Sequence, residues 1–369
     1  MNFDLPDDVK EAQRKARDFA SRYLTSEKAA YYDEREEYPH EIRKKALEEK
    51  IVDFSNPWHM LVTIEELCRA DPGLGISATT PFFGVEILML FGNEQQKARY
   101  MERVMRGEAI MGVAVTEPGG GSDVAGIKTS AVKRGNKWYI SGSKMFITNG
   151  AIADFVAMLV RTSRPDEKRH HGLSVFLVDT KSKGFTANKL HGKLGVRATN
   201  TAELILNEVE VPEENLVGEE GRGFYYIMTF FDISRIYVAA QAIGIAQGAL
   251  DRILRSLDLK SLSESQQFTV AEVATRVEAA RMLTYQAASY LFNFNPVPKL
   301  TSMAKGYSSE VATFATQKAI ELLGPAGLTG DVERFYRDAK IMEIWEGTSE
   351  VEKLIIYRSM LREVEKVAQ

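Results

Sequence analysis

Val115-Thr116-Glu117-Pro118-Gly119-Gly120-Gly121-Ser122-Asp123 decides how the middle of this chain folds. It leaves a short apolar run, residues 110–116, whose composition reads as a strand. The glycines lack the G-x-G-x-x-G spacing, and no helix pattern follows them. The segment is therefore not the dinucleotide fingerprint of a parallel sheet. Three glycines in a row let backbone N–H groups crowd a planar or anionic ligand, with Thr116 and Ser122 as adjacent hydroxyl donors. A plain glycine-rich turn is the bland alternative.

Outward from that segment, residues 128–133, 137–144, Phe155–Arg161, Leu173–Asp179 and 202–211 also read as short strands with no helices between them. Gly135-Asn136 marks a tight hairpin. This pattern predicts an antiparallel barrel or sandwich. Before it, apolar residues recur at helical spacing in 9–23, 61–70 and 83–91, punctuated by Asp71-Pro72-Gly73 and Phe91-Gly92-Asn93. After it, Ala239, Ile243, Ala246, Leu250, Ile253 and Leu257 form an apolar stripe on one long helix. Further helices are expected at 270–292, 300–323 and 349–367, as in a bundle. The expected architecture is α+β and multidomain: an N-terminal all-α domain (1–109), a central β domain (110–217) and a C-terminal helical bundle (218–369).

The bulk numbers fit that plan. The 369 residues are 44% hydrophobic and 27% charged, and the net charge of −4 points to neither nucleic acid nor an acidic membrane surface. The single cysteine, Cys68, excludes an internal disulfide and sits in an apolar helical pattern as a core residue. The acidic start, Met1-Asn2-Phe3-Asp4-Leu5-Pro6-Asp7-Asp8, lacks a basic, apolar leader, so a cytoplasmic protein is expected. The longest apolar segment, 82–91, contains Glu86 and is too short to cross a bilayer. His170 and His171 fall in a charged loop, 164–171, and no histidine has a metal-binding spacing. No metal is expected.

Three places carry candidate chemistry. In Ile344-Trp345-Glu346-Gly347-Thr348-Ser349 a carboxylate follows two apolar residues. A desolvated carboxylate has a raised pKa and is a stronger base toward a weak carbon acid. The alternative is a solvated charge beside a helix cap at Thr348 or Ser349. In Lys144-Met145-Phe146-Ile147-Thr148-Asn149-Gly150, Phe146 and Thr148 share a strand face, suited to stacking on a ring or to ordinary core packing. Asp232 and Arg235 share a helix face, as a surface ion pair or as ligand contacts.

In this order and spacing, Val115–Asp123 as quoted, residues 141–150, Lys193-Leu194-Gly195-Val196-Arg197 and residues 211–223 and 337–349 resemble the acyl-CoA dehydrogenase family over nearly the whole chain. The resemblance implies an N-terminal helical domain, a central β-barrel-like domain and a C-terminal four-helix bundle. It implies FAD, with Thr116, Ser122, Phe146, Thr148 and Thr348 as contacts and Val113, Val115 and Ile147 beside them. It implies an acyl-CoA substrate touched by Ser122 and Gly347, with Asp232 and Arg235 on the CoA portion. Glu346 falls on the general base of the short- and medium-chain branches. Its backbone N–H and a flavin ribityl hydroxyl would form the oxyanion hole, hydride would pass to flavin N5, and trans-2-enoyl-CoA would result. An electron-transfer flavoprotein would take the electrons, in fatty acid β-oxidation, from a homo-oligomer (dimer or tetramer). The family's second base position falls on Ser234, which cannot serve, so Glu346 is the only candidate.

The chain departs from the family pattern at three points. Arg255-Ser256-Leu257-Asp258-Leu259-Lys260-Ser261-Leu262-Ser263-Glu264 replaces an Arg-x-Gln-Phe-Gly segment and the glutamine after it. Glu321-Leu322-Leu323-Gly324-Pro325 replaces Gln-(apolar)₂-Gly-Gly. Phe54-Ser55-Asn56-Pro57-Trp58 shortens a loop. The two glutamate replacements imply a weakened cross-subunit grip on the adenosine end of FAD. Alternatives kept open are an oxidase, a dehydrogenase for branched, cyclic or dicarboxylic thioesters, and a non-catalytic flavin- or CoA-binding protein.

Overall fold

A computed structural model describes residues 4–54, 56–164 and 168–367. Met1, Asn2 and Phe3, Ser55 of the shortened loop, and residues 165–167 of the charged loop lie outside the described residues. The chain forms two compact units, one drawn from Met1–Ala78, Lys193–Ala198 and Asp232–Gln369, the other from Thr79–Gly192 and Thr199–Phe231.

The first unit opens with α1 (Asp7–Tyr23), α2 (Ser26–Arg35), α3 (His40–Glu48), α4 (Pro57–Ala70) and α5 (Pro72–Thr79). Asp7 and Asp8 sit in the first turn of α1, where the helix dipole favours acids, and Val9, Ala16, Phe19 and Ala20 form its buried face. Helix α4 starts at Pro57, four residues before its apolar periodicity, because the Asn56 side chain accepts a bond from the Trp58 N–H and proline suits the first helical position. Helices α2 and α3 are additions to the sequence reading. Their charged composition hides narrow buried faces of Ala29 and Asp33, and of Ile42 and Ala46. Cys68 is buried in this core, and burial pushes its thiol up.

An imidazole joins the start of α4 to α1. His59 Nδ1 lies 3.0 Å from Asp53 and Nε2 lies 3.0 Å from Asp8. Burial pulls the His59 pKa down, but the two carboxylates outweigh it and leave it above its ordinary 6.5. A pKa raised on folding stabilises the fold fully below the unfolded pKa and ceases to do so as pH rises through the folded one. The melting-temperature gap between wild type and His59→Ala is therefore expected to be larger at about pH 6 than at about pH 8.

The second unit holds α6 (Val85–Phe91), α7 (Glu94–Gln96), α8 (Glu102–Met105) and the strands β1 (Met111–Ala114), β2 (Ser130–Arg134), β3 (Lys137–Thr148), β4 (Phe155–Arg161), β5 (Leu173–Asp179), β6 (Phe185–Lys189), β7 (Thr201–Pro212) and β8 (Leu216–Val217). They form one sheet in the order β6-β7-β3-β2-β4-β5-β8, with β1 beside β4. Arg134 pairs with Lys137 across the Gly135-Asn136 turn, where Gly135 has φ +64°. The sheet is antiparallel except that β1 runs parallel to β4 and β2 meets β4 in parallel at Ser130 and Arg161. Parallel neighbours need a crossover, and the β2–β3 hairpin supplies it. Strands β4 and β5 are buried on both faces, and Trp138, Ile140, Val156, Met158, Phe176 and Val178 share one core.

Residues Pro72–Phe91 are by length and composition apolar enough to cross a membrane, a longer stretch than 82–91. They are mostly buried in the protein and are broken by the 3₁₀ turn Thr80–Phe82.

Helix α9 (Gly223–Ser256) begins in the second unit and continues from Asp232 in the first, followed by α10 (Glu264–Phe292), α11 (Pro298–Leu323), α12 (Val332–Ala339) and α13 (Ser349–Val367). Of the expected stripe, Ile243, Ala246, Leu250 and Ile253 pack with Val273, Val277, Val311 and Ala315, Ala239 is buried in a neighbouring cluster, and Leu257 is half-buried just past the end of α9. Each fully buried valine or isoleucine among them contributes about 1.5–3 kcal/mol. Ala240, Ala242 and Ile245 are buried too, so α9 is apolar on more than one face. A Cβ at Gly244 or Gly248 would strike the carbonyls of Glu65 or Arg69, so bare glycine lets α9 lie against the backbone of α4.

Candidate active site

Glu346 sits in the loop between the 3₁₀ turn Lys340–Glu343 and α13, with its backbone in the left-handed region at φ +54°. A non-glycine residue there is strained and persists only where its surroundings over-determine it. They do so here from two helices. From α9, Ser234 Oγ donates to Glu346 Oε2 at 2.5 Å, and Arg235 Nε donates to the Glu346 carbonyl at 3.0 Å. From α11, Lys305 Nζ donates to the Gly347 carbonyl, Ser309 Oγ to the Met342 carbonyl at 2.8 Å, and Thr313 Oγ1 to Glu343 at 2.6 Å. Thr348 caps α13 through a 3.3 Å bond from the Val351 N–H to its hydroxyl. The helix-cap reading thus holds for Thr348, while Glu346 is not a solvated flanking charge. Ile344 is half exposed, so the apolar wall expected there comes from Trp345, which packs on the buried core.

The electrostatics favour a base. Burial raises the Glu346 pKa above its ordinary 4.5, against the Ser234 hydroxyl, Arg235 and Lys305. Arg235 is buried, and its guanidinium also bonds Asp232 at 3.1 Å and pairs with Glu352 at 3.0 Å. The expected Asp232–Arg235 pair therefore exists, with the arginine committed to the Glu346 loop and Asp232 the more exposed partner. Lys305 is buried as well, and burial pushes its ammonium down to about 8, with Glu352 and Glu346 opposing. Sequence reasoning did not single out Lys305 or Glu352.

In the second unit, Val113 lies in β1, and Val115 and Thr116 follow it; Ile147 and Thr148 end β3. Phe146 projects 67% exposed at φ +59°, beside a bulge between Lys144 and Ile147. Ser122 is exposed, Thr116 and Thr148 partly so, and a Cβ at Gly119 or Gly120 would meet nothing within 4 Å. An exposed aromatic ring, three hydroxyls and an open glycine turn suit a flat, polar-edged ring such as a flavin. Behind them Lys144, wholly buried, donates to the Val115 carbonyl at 2.9 Å and to Glu117 at 3.0 Å. Glu117 also accepts the Lys128 and Thr129 N–H groups at 2.8 Å each, which closes the glycine turn at its base. Burial pushes the Lys144 ammonium down to about 8, with Glu117 opposing.

Comparison with known proteins decides the family. Models of the acyl-CoA dehydrogenase N-terminal, middle and C-terminal domains match residues 6–108, 112–209 and 221–361. The chain belongs to the acyl-CoA dehydrogenase family. It is 35% identical to an acyl-CoA dehydrogenase of Bacillus subtilis over 95% of this chain and 97% of that one. It is also 35% identical to the caffeyl-CoA reductase–Etf complex subunit CarC of Acetobacterium woodii, over 94% and 96%. Among solved structures, butyryl-CoA dehydrogenase from Megasphaera elsdenii superposes with a TM-score of 0.91 at 30% identity, covering 98% of this chain and 100% of that one. Members of this family are FAD-dependent oxidoreductases acting on CH–CH groups, and this enzyme is one of them.

Two departures from the family pattern take a definite form here. Glu321 is exposed and its charge is met by Lys318 at 2.6 Å and Gln317 at 2.9 Å. Glu264 is the exposed first residue of α10, behind a capping box between Ser263 and Gln266. His170, expected in solvent, bonds Tyr225 at 3.1 Å and packs on Phe224.

Gly347 is a position of this acyl-CoA dehydrogenase that admits no side chain without strain. Its φ is +107°, and an added Cβ would meet the Glu352 carboxylate. Gly347→Ala costs about 1–3 kcal/mol in backbone strain alone. The expected outcome is a lower melting temperature together with a loss of activity of about tenfold or more, read by steady-state kinetics.

Proposed function

We propose that this protein dehydrogenates a saturated acyl-CoA thioester to the trans-2-enoyl-CoA, with Glu346 removing the α-proton. The observation that carries the reading is the Glu346 loop: a carboxylate withdrawn from water, raised in pKa, and fixed in strained backbone by two helices. A thioester α-proton is a weak acid, so a base of raised pKa in a fixed position matches the task. The flavin of FAD supplies the acceptor for the β-hydride. When FAD is bound, Phe146, Thr116, Ser122 and Thr148, with Val113, Val115 and Ile147, would hold its ring, and Thr348 would also contact the cofactor. Ser122 and Gly347 would touch the thioester, Asp232 and Arg235 would hold the CoA portion, and Arg235 also fixes the base through its bond to the Glu346 carbonyl. The Glu346 N–H donates to the thioester oxygen as negative charge develops on it, and the proton leaving the α-carbon ends on the Glu346 carboxylate.

The likeness to an Etf-complex subunit supports an electron-transfer flavoprotein as acceptor. Exposed Leu354, Tyr357, Leu361 and Val364 on α13 support a homo-oligomer. The cytoplasm remains our proposed location. The test is mass spectrometry of a panel of acyl-CoAs held with the oxidised protein under nitrogen. A two-hydrogen loss from one class is expected. Oxygen uptake in a parallel aerobic turnover would mark an oxidase instead, and no change in any acyl-CoA would overturn the reading.

A further inference from the structure

Glu352, in the first turn of α13, is wholly buried, and no established part of the reaction uses it. One carboxylate oxygen lies 3.0 Å from Arg235 Nε, the nitrogen that also donates to the Glu346 carbonyl. The same oxygen stands where a Cβ on Gly347 would have to go. Neither Glu352 oxygen makes a well-aligned hydrogen bond, and the charges of Arg235 and Lys305 act on the group together with the Ser302 hydroxyl.

We propose that Glu352 is a positioning residue of this dehydrogenase: a second buried carboxylate that occupies Arg235 and Lys305 and so leaves the Glu346 carboxylate a strong base. The inference rests on the reading of Glu346 as the base. The charged groups around that carboxylate are Asp232 and Arg235 from α9, Lys305 from α11, Glu343 from the preceding turn and Glu352 from α13. Glu343 is already taken up by Lys340 and Thr313. With a neutral group at 352, the two cations would lose one of the acids they face and act more strongly on Glu346. They would stabilise ionised Glu346 and weaken it as a base. Burial raises the Glu352 pKa, with Arg235, the Ser302 hydroxyl and Lys305 pulling it down, and Glu352 in turn adds to the rise at Glu346.

Glu352→Gln, close in shape, tests this. In holoenzyme labelled with ¹³C at the glutamate carboxyls, the Glu346 resonance is assigned by its absence in Glu346→Gln and titrated in wild type and variant. The proton affinity of Glu346 is expected to fall about tenfold in Glu352→Gln. The acid limb of flavin reduction by acyl-CoA should move to lower pH with it, and the alkaline plateau should fall about threefold at unchanged KM. Glu352→Asp should return the titration toward wild type, and it carries the test if the amide variant does not fold. An unmoved Glu346 titration overturns the proposal. A moved titration in a protein whose flavin no acyl-CoA reduces leaves the charge sharing standing and removes the reading of Glu346 as base.

Discussion

Glu346→Gln is expected to keep its flavin and to reduce it with acyl-CoA about 10²–10⁴-fold more slowly, the usual worth of a positioned general base. The amide retains the shape of the side chain and can still accept from Ser234, so the loop held by Arg235 and Lys305 stays in place. It cannot take a proton. Loss of rate with retained colour and retained acyl-CoA binding would separate chemistry from folding. The wild-type profile carries a second signature. Glu346 is a base only when ionised, and burial holds its pKa above 4.5. Activity should therefore rise with pH along a limb displaced above the ordinary carboxylate range, and Ser234→Ala should displace it further upward. The hydroxyl bond stabilises the ionised form and is lost in that variant.

Removal of Arg235 should have the largest effect on stability. Arg235→Met leaves Asp232, Glu352 and the Glu346 carbonyl without their shared buried donor. Breaking a buried pair from one side costs about 3–5 kcal/mol. Thermal unfolding followed across pH should show that cost shrinking toward acid. The stranded carboxylates can then take protons instead of remaining as uncompensated charge. Arg235→Lys should recover only part of it, since one ammonium cannot present the planar fork that meets three acceptors. Full recovery by lysine would mean that charge alone, and not the fork, fixes the Glu346 loop.

What could be read from the sequence followed the strength of its periodicity. Strands β4 and β5 emerged at their true ends because each is a continuous apolar run buried on both faces. Strand β6 was invisible: Phe185–Lys189 pairs only with β7 and alternates between exposed and half-buried positions. Strand β8 is two residues long. Helices α2 and α3 were hidden by charge, and the parallel β1–β4 pairing by the absence of any local signal for strand partners.

At the candidate site, Glu346 and Phe146 were singled out through the family resemblance, since the local sequence alone read equally as a helix cap and as core packing. Lys144, Lys305 and Glu352 were not, since a lone charge within a helix or strand reads as solvent-facing. Parity held the missing signal for Lys144, which shares the even register of buried Trp138 and Ile140. Lys305 had a weaker one, among Ser302, Ala304, Ser308 and Ser309 on a helix of small buried residues. Glu352 had none, because its surroundings are set by Arg235, Ser302 and Lys305, more than forty residues away in sequence.

The most direct test of the dehydrogenase reading is anaerobic titration of the yellow, oxidised protein with acyl-CoAs, following the main visible flavin band. Bleaching by a saturated acyl-CoA, and its loss in Glu346→Gln, is the result expected. A flavin that binds but stays oxidised with every acyl-CoA offered, or one that Glu346→Gln bleaches as fast as wild type, would contradict the account.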